Sequence, residues 1–229
     1  MKVQLIRFMN YFMLALFLLT LVGCDKHSDL KFKLDTAEQL MQNKPDSALY
    51  LLSNIPASKI KEKRDKARYA LLKSIALDKN YIDTTSFEVI QPAIDYYLDS
   101  GNADEKLRTL YYQGRIFQNQ GADDEAMSCF MKACDLKEVI TDTLVLANAF
   151  VSEAMLYYKQ YKLDEFIKCH IKAAELYKAI GNIPYEIKSY TIAADGYTMK
   201  NNKSTADSLI HICFPLVKKN KDSESFLFN

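Results

Sequence analysis

The chain has 229 residues, of which 49% are apolar, with 6 Gly, 5 Pro and no Trp. So many apolar residues and so few helix breakers exclude a disordered chain and a turn-rich all-β fold, and they favour helices around a continuous core. The 30 Lys and Arg against 29 Asp and Glu leave a net charge of +1. That balance gives no dense basic surface of the kind that displaces counterions, so no nucleic-acid partner is expected.

At the amino end, Lys2 and Arg7 precede an apolar run from Tyr11 to Val22, which stops at Gly23-Cys24-Asp25. A positive start, a short apolar stretch and a small residue form the pattern of an export signal, shorter than a comfortable membrane span. Leu21-Val22-Gly23-Cys24 resembles the lipobox of bacterial lipoproteins. The resemblance implies a signal peptide over residues 1–23, cleavage before Cys24, and acylation of the Cys24 thiol and its new amino end. Several acyl chains hold a soluble domain on a membrane where one chain does so poorly. A plain secretory signal with an incidental cysteine and an uncleaved anchor helix are the alternatives. Removing residues 1–23 takes Lys2 and Arg7 and no acids, leaving 28 basic and 29 acidic side chains, a net −1. Residues 24–30 then read as a tether, and the expected location is the bacterial cell envelope, held by the lipid. Asp25 resembles an inner-membrane retention signal of some lineages, and the choice of membrane and face stays open.

From Leu30 onward apolar residues recur at helical spacing, interrupted by Gly, Asn, Asp and Thr. Residues 37–52 read as a truncated helix pair whose second member starts cleanly at Pro45-Asp46, and Pro56 stops it. Four further pairs follow from about Arg64 to Val217, the first of them opened by the basic stretch Lys59 to Arg68. They repeat every 40 residues: Leu110, Phe150 and Tyr190 align, as do Gly114, Ala154 and Ala194, then Phe117, Tyr157 and Tyr197. The second helices follow with Ala126, Phe166 and Ala206, with Phe130, His170 and Ile210, and with Ala133, Ala173 and Cys213. One step back, Ala70, Ser74, Leu77, Ser86, Ile90 and Ala93 make a weaker copy. Gly101-Asn102 and Gly181-Asn182 each end one helix and cap the next, and Asn102 with Glu105 forms a capping-box pattern. Gly121 makes the turn inside the central unit, where Asp123 or Asp124 opens the second helix. The repeat domain is expected over 31–217 and a frayed tail over 218–229.

Leu110, Gly114, Phe117, Ala126, Phe130 and Ala133 together resemble the tetratricopeptide repeat (TPR), all six positions in register. The flanking units depart from the pattern, with Phe166 at a small-residue position and His170 at a large apolar one. The period of 40 exceeds the usual 34, and the six extra residues, about 9 Å of helix, are expected to lengthen the second helix and its connection. Helix-pair repeats of the HEAT kind have such a period and are the alternative. The TPR resemblance implies an all-α, right-handed superhelical stack of antiparallel helix pairs whose first helices line a concave groove. It places Tyr111, Arg115, Gln118, Asn119, Val151, Met155, Tyr158 and Lys159 on that groove, with Tyr111 and Tyr158 as its surface aromatics. The mixture suits an extended peptide or a partner helix. It does not reproduce the Lys and Asn set by which some family members clamp a peptide C-terminal carboxylate.

No reactive constellation stands out. The three His are His27, His170 and His211, and no Cys-x-x-Cys, His-Glu-x-x-His, Gly-rich phosphate loop or Gly-x-Ser-x-Gly elbow occurs. The acidic triplet Asp123-Asp124-Glu125 falls where a helix dipole favours negative charge. Cys129, Cys134, Cys169 and Cys213 read as buried thiols packing as small apolar groups, with pairing as the alternative. The expectation is therefore a scaffold that is not an enzyme, with no cofactor and no metal site, binding a protein or peptide partner. A sensor or adaptor in an envelope signalling system and a carbohydrate-capture accessory lipoprotein are the alternatives.

Overall fold

The computed structural model describes residues 24–136 and 140–220, with side chains from Asp29 onward. The lipobox up to Gly23 and the Phe226-Leu227-Phe228 tail lie outside the described residues. Among those residues there are ten α-helices and no strand: α1 Cys24–Leu40, α2 Pro45–Ser53, α3 Lys63–Lys79, α4 Gln91–Ser100, α5 Ala103–Gln120, α6 Asp123–Asp135, α7 Thr143–Lys159, α8 Leu163–Ala179, α9 Ile183–Met199 and α10 Lys203–Lys219. None of them is long and apolar enough to cross a membrane. They fall into two compact units, one up to Ile82 and one from Asp83. The boundary divides the pair expected after the truncated one, placing α3 in the first unit and α4 in the second.

In the first unit α1, α2 and α3 pack on one another around Leu34, Ala37, Ala48, Leu52 and Ala67. Pro45 stands in the first turn of α2, where its missing N–H costs nothing. Arg68 crosses from α3 to α1, reaching Asp35 at 2.7 Å and Glu38 at 2.6 Å. Residues 24–30, expected as a tether, are instead the first turns of α1. That stretch contains no Gly or Pro, so nothing in it stops the helix.

The second unit explains the 40-residue period. Helices α7, α8, α9 and α10 are each 17 residues long, and three residues join each to the next: 160–162, 180–182 and 200–202. A helix plus its link is thus about 20 residues, and a pair is 40. The two helices of a pair are equally long, so the extra length over a 34-residue repeat does not fall on the second helix and its connection as expected.

The links share one device. A single residue in each adopts the left-handed conformation: Gly121 at φ 74°, Tyr161 at 58°, Gly181 at 70° and Asn201 at 57°. In every case the next residue's N–H donates to a carbonyl five back, as from Lys162 to Tyr157 at 3.0 Å and from Asn182 to Tyr177 at 2.9 Å. The left-handed residue's own N–H donates to the carbonyl three back, as from Tyr161 to Tyr158 at 2.9 Å. This is the Schellman closure, which satisfies the last carbonyls of a helix. Tyr81 at the end of α3 closes the first unit's last helix in the same way, with Ile82 donating to Leu77 at 3.0 Å. Gly101 differs, lying at φ −75°, and there the capping box starts the next helix: Glu105 N–H donates to Asn102 Oδ1 and Asn102 N–H to Glu105 Oε2, both at 2.9 Å.

Packing follows the repeat register. A Cβ on Gly114 would meet the Phe130 ring at 2.6 Å, so only glycine admits that fully buried ring. One repeat later the sizes are redistributed, with Ala154 at the glycine position, Phe166 at the small position and His170 at the ring position. Phe166 and His170 then stack edge to face at 4.8 Å, both buried. A second set of contacts staples consecutive pairs at their edge. Lys159 at the end of α7 pairs with Asp123 at the start of α6 at 2.8 Å, and Lys200 pairs with Asp164 one repeat on. Asn119 and Gln120 reach the Thr84 and Thr85 carbonyls ahead of α4 in the same manner, at 3.0 Å and 2.5 Å.

Candidate functional site

The first helices of the three pairs α5/α6, α7/α8 and α9/α10 present one face, and a cavity of about 320 Å³ opens on it. Five of the eight residues expected on the groove line this cavity: Tyr111, Arg115 and Gln118 from α5, Val151 and Met155 from α7. The other three do not. Asn119 is turned to the Thr84 carbonyl, Lys159 is held by Asp123, and Tyr158, half-exposed, lies 5.2 Å from the Phe166 ring. Tyr111, expected as a surface aromatic, is buried. Its ring meets Tyr112 edge to face at 4.9 Å and Phe130 at 6.0 Å, so it offers the cavity only part of its surface.

The remaining wall comes from residues that the repeat register had not singled out for the groove. Asn148 and Lys188 sit 40 residues apart on α7 and α9, in step with Arg108 on α5. That step was available in the sequence, but the expectation carried the groove across two repeats and stopped short of α9. Tyr177 on α8 is almost wholly buried and donates its hydroxyl to Asn148 Oδ1 at 2.6 Å, which leaves the Asn148 amide hydrogens as donors. Tyr185 packs beside Tyr177 at 5.3 Å and is half-exposed. His170 also lines the cavity, fully buried, with neither ring nitrogen hydrogen-bonded among the described residues. Burial and then the charge of Lys188 push its pKa down to about 4, so the imidazole is neutral at pH 7.

The electrostatics of this cavity are one-sided. Arg115, which donates to Gln118 Oε1 at 2.8 Å, and Lys188 supply two positive charges, and no carboxylate lines the cavity. Arg108, one repeat ahead of Asn148, is instead tied to Asp142 at 2.5 Å, which with the contacts of Asp104 to the Thr141 and Asp142 N–H groups at 2.9 Å fixes the start of α7.

Two larger grooves lie on the opposite face, between successive second helices. One of about 590 Å³ is floored by Leu110, Gln113 and Phe117, and the next, of about 650 Å³, by Phe150, Glu153 and Tyr157, the same register positions one repeat on. They are the spaces that equal helix pairs leave between them. The second holds Cys134 and Cys169, and Glu153, whose carboxyl burial raises while hydrogen bonds from Cys134 and Tyr157 oppose the shift. Burial also raises the thiols, Cys129 to about 11 and Cys169 to about 12, so at neutral pH they pack as uncharged groups. Among the described residues no three His, Cys, Asp or Glu side chains converge as metal ligands.

No family model matches the chain, and no curated protein matches it by sequence. Solved structures do. A crystal structure of nearly identical TPR-like repeats from a Podosopora anserina kinesin light chain superposes with a TM-score of 0.60 at 14% identity, covering 86% of this chain and 99% of that one. A form of the same repeats with a glutamine replaced by methionine gives a TM-score of 0.61 at 15% identity, over 86% and 98%. With helix pairs, register and closures already in hand, the likeness identifies the fold as a TPR-like α-solenoid.

Proposed function

We propose that this protein is a lipid-anchored scaffold of the bacterial cell envelope, docking a protein or peptide partner on the first-helix face of its repeats. The observation that carries the reading is that five side chains chosen by repeat register, Tyr111, Arg115, Gln118, Val151 and Met155, line one cavity on that face. TPR-like stacks serve as scaffolds because each repeat adds one more element to an extended binding surface without needing a catalytic centre. The mixture of an aromatic edge, a cation, an amide and two apolar groups suits a peptide whose side chains alternate in character. The anchor rests on Leu21-Val22-Gly23-Cys24, with the acyl chains carried by Cys24.

Two measurements test the two halves. Growth with a labelled fatty acid should label the wild-type chain and leave Cys24→Ala unlabelled and released from membranes; equal labelling of both removes the anchor. For the docking face, Val151→Arg with Met155→Arg should abolish co-purification of a partner defined by mass spectrometry. Met131→Arg, a half-exposed position on the opposite face, should leave it intact. Loss in both variants, or in neither, removes the assignment of the face.

A further inference from the structure

The cavity contains a group that packing alone does not account for. His170 occupies the register position that Phe130 fills with an apolar ring one repeat earlier, yet it buries an imidazole whose two nitrogens find no partner among the described residues. A buried unpaired donor or acceptor is destabilising, and an apolar side chain of similar size would avoid the cost. A polar group kept at such a place is explained when something that enters the cavity completes its hydrogen bonds.

The neighbouring chemistry specifies what enters. Asn148 has its oxygen occupied by Tyr177, so it turns an amide donor to the cavity. Lys188 adds a positive charge, makes no ion pair among the described residues, and stands close enough to depress the charge on His170. Ser152 and Ser189 supply hydroxyls, and no carboxylate lines the cavity beside Lys188. Donors and positive charge facing one space call for an acceptor-rich anion. At about 320 Å³ the space is at the small end of the range of small-molecule sites, and His170 is part of its wall.

The geometry points to a binding site for a small organic acid between α7, α8 and α9, its anionic oxygens held by Lys188 and the Asn148 amide and its body reaching the His170 imidazole. This site shares its cavity with the docking residues Val151 and Met155, but its test uses small ligands alone. It stands or falls on small ligands whatever becomes of the scaffold reading.

The test uses the full chain in detergent, ¹⁵N-labelled, and reads the imidazole nitrogens of its three histidines, with His170→Leu assigning the His170 signals. Two matched pairs serve as probes: sodium benzoate with benzamide, and sodium glucuronate with glucose. At least one acid should shift the His170 nitrogens saturably with a Kd below about 5 mM, and its neutral partner should bind at least about tenfold more weakly. Lys188→Gln, a change at an exposed lysine that leaves the fold alone, should weaken the acid by about tenfold. Lys172→Gln on the opposite face should leave it unchanged. The proposal is overturned if neither acid moves the His170 signals, if the neutral partners move them equally, or if Lys188→Gln binds the acid as the wild type does.

Discussion

Replacing His170 with leucine should stabilise the protein, and by an amount that depends on pH in a defined way. At pH 7 the imidazole is neutral and buried, with both nitrogens unpaired among the described residues. Removing them in favour of an apolar group of similar volume should gain about 1–3 kcal/mol. The pH dependence follows from the depressed pKa, about 4 in the folded protein against an ordinary 6.5. Between those values the unfolded chain takes up a proton that the folded chain refuses, so wild-type stability falls as pH drops from 6.5 towards 4. The fall is up to about 1.4 kcal/mol per pH unit, or about 3 kcal/mol over the window. His170→Leu lacks this loss. Glu153 and Glu186, whose carboxyls burial raises, act in the opposite sense, because the folded state holds their protons more tightly and gains stability as pH falls. They are common to both proteins and cancel in the difference. Urea unfolding followed by circular dichroism at pH 7.5, 6.0, 5.0 and 4.5 gives that difference directly. The gap between variant and wild type should widen by about 2–3 kcal/mol from pH 7.5 to 4.5. A gap that stays constant across the range would refute the burial of an uncharged imidazole at this position.

Other substitutions probe the repeat geometry. Gly114→Ala drives a Cβ into the Phe130 ring at 2.6 Å and should cost about 1–2 kcal/mol despite alanine's better helix propensity; Phe130→Leu in the same chain should recover most of that loss in urea unfolding. Tyr161, 87% exposed and left-handed, has no packing to lose, so Tyr161→Gly should raise stability by roughly 0.5–1 kcal/mol, whereas Gly121→Ala, the same register position, should lower it by about 1 kcal/mol. Asn102→Ala removes one half of the capping box and should cost about 1 kcal/mol, seen as a lower urea midpoint with an unchanged slope.

The parts of the fold that could be read in the sequence are those where only one kind of residue meets the physical demand. Gly114 facing Phe130, Gly121 at a positive φ, Asn102 with Glu105, and Pro45 at a helix start each have a requirement that few residues satisfy. The closures at Tyr81 and Tyr161 were hidden because tyrosine is not a residue that marks turns, and the surrounding helices impose the left-handed conformation on it. The equal length of the two helices was hidden for the same reason, since the halfway mark of each repeat carries a different residue each time: Gly121, Tyr161, Asn201. Residues 24–30 lacked apolar periodicity and so read as a tether, although nothing in them opposes a helix. In the site, register located Arg115, Gln118, Val151 and Met155. It could not foresee that Asn119 and Lys159, at the ends of their helices, would be taken up in stapling one pair to the next. Nor could it show that Tyr111 would be buried against Tyr112 and Phe130, because burial at that position depends on side-chain packing across the pair and not on spacing along the helix. Tyr177, Lys188 and His170 reach the cavity from three different surroundings, and only the folded arrangement brings them together.

Docking of a partner on the first-helix face of the second unit is the proposal that most needs a direct experiment. Photo-crosslinking in intact cells tests it most directly, with the reactive amino acid placed in turn at Val151, at Met155 and, on the opposite face, at Met131. Docking on that face gives one and the same crosslinked partner from Val151 and Met155 and none from Met131. A partner captured from Met131 and absent from the other two positions would contradict it.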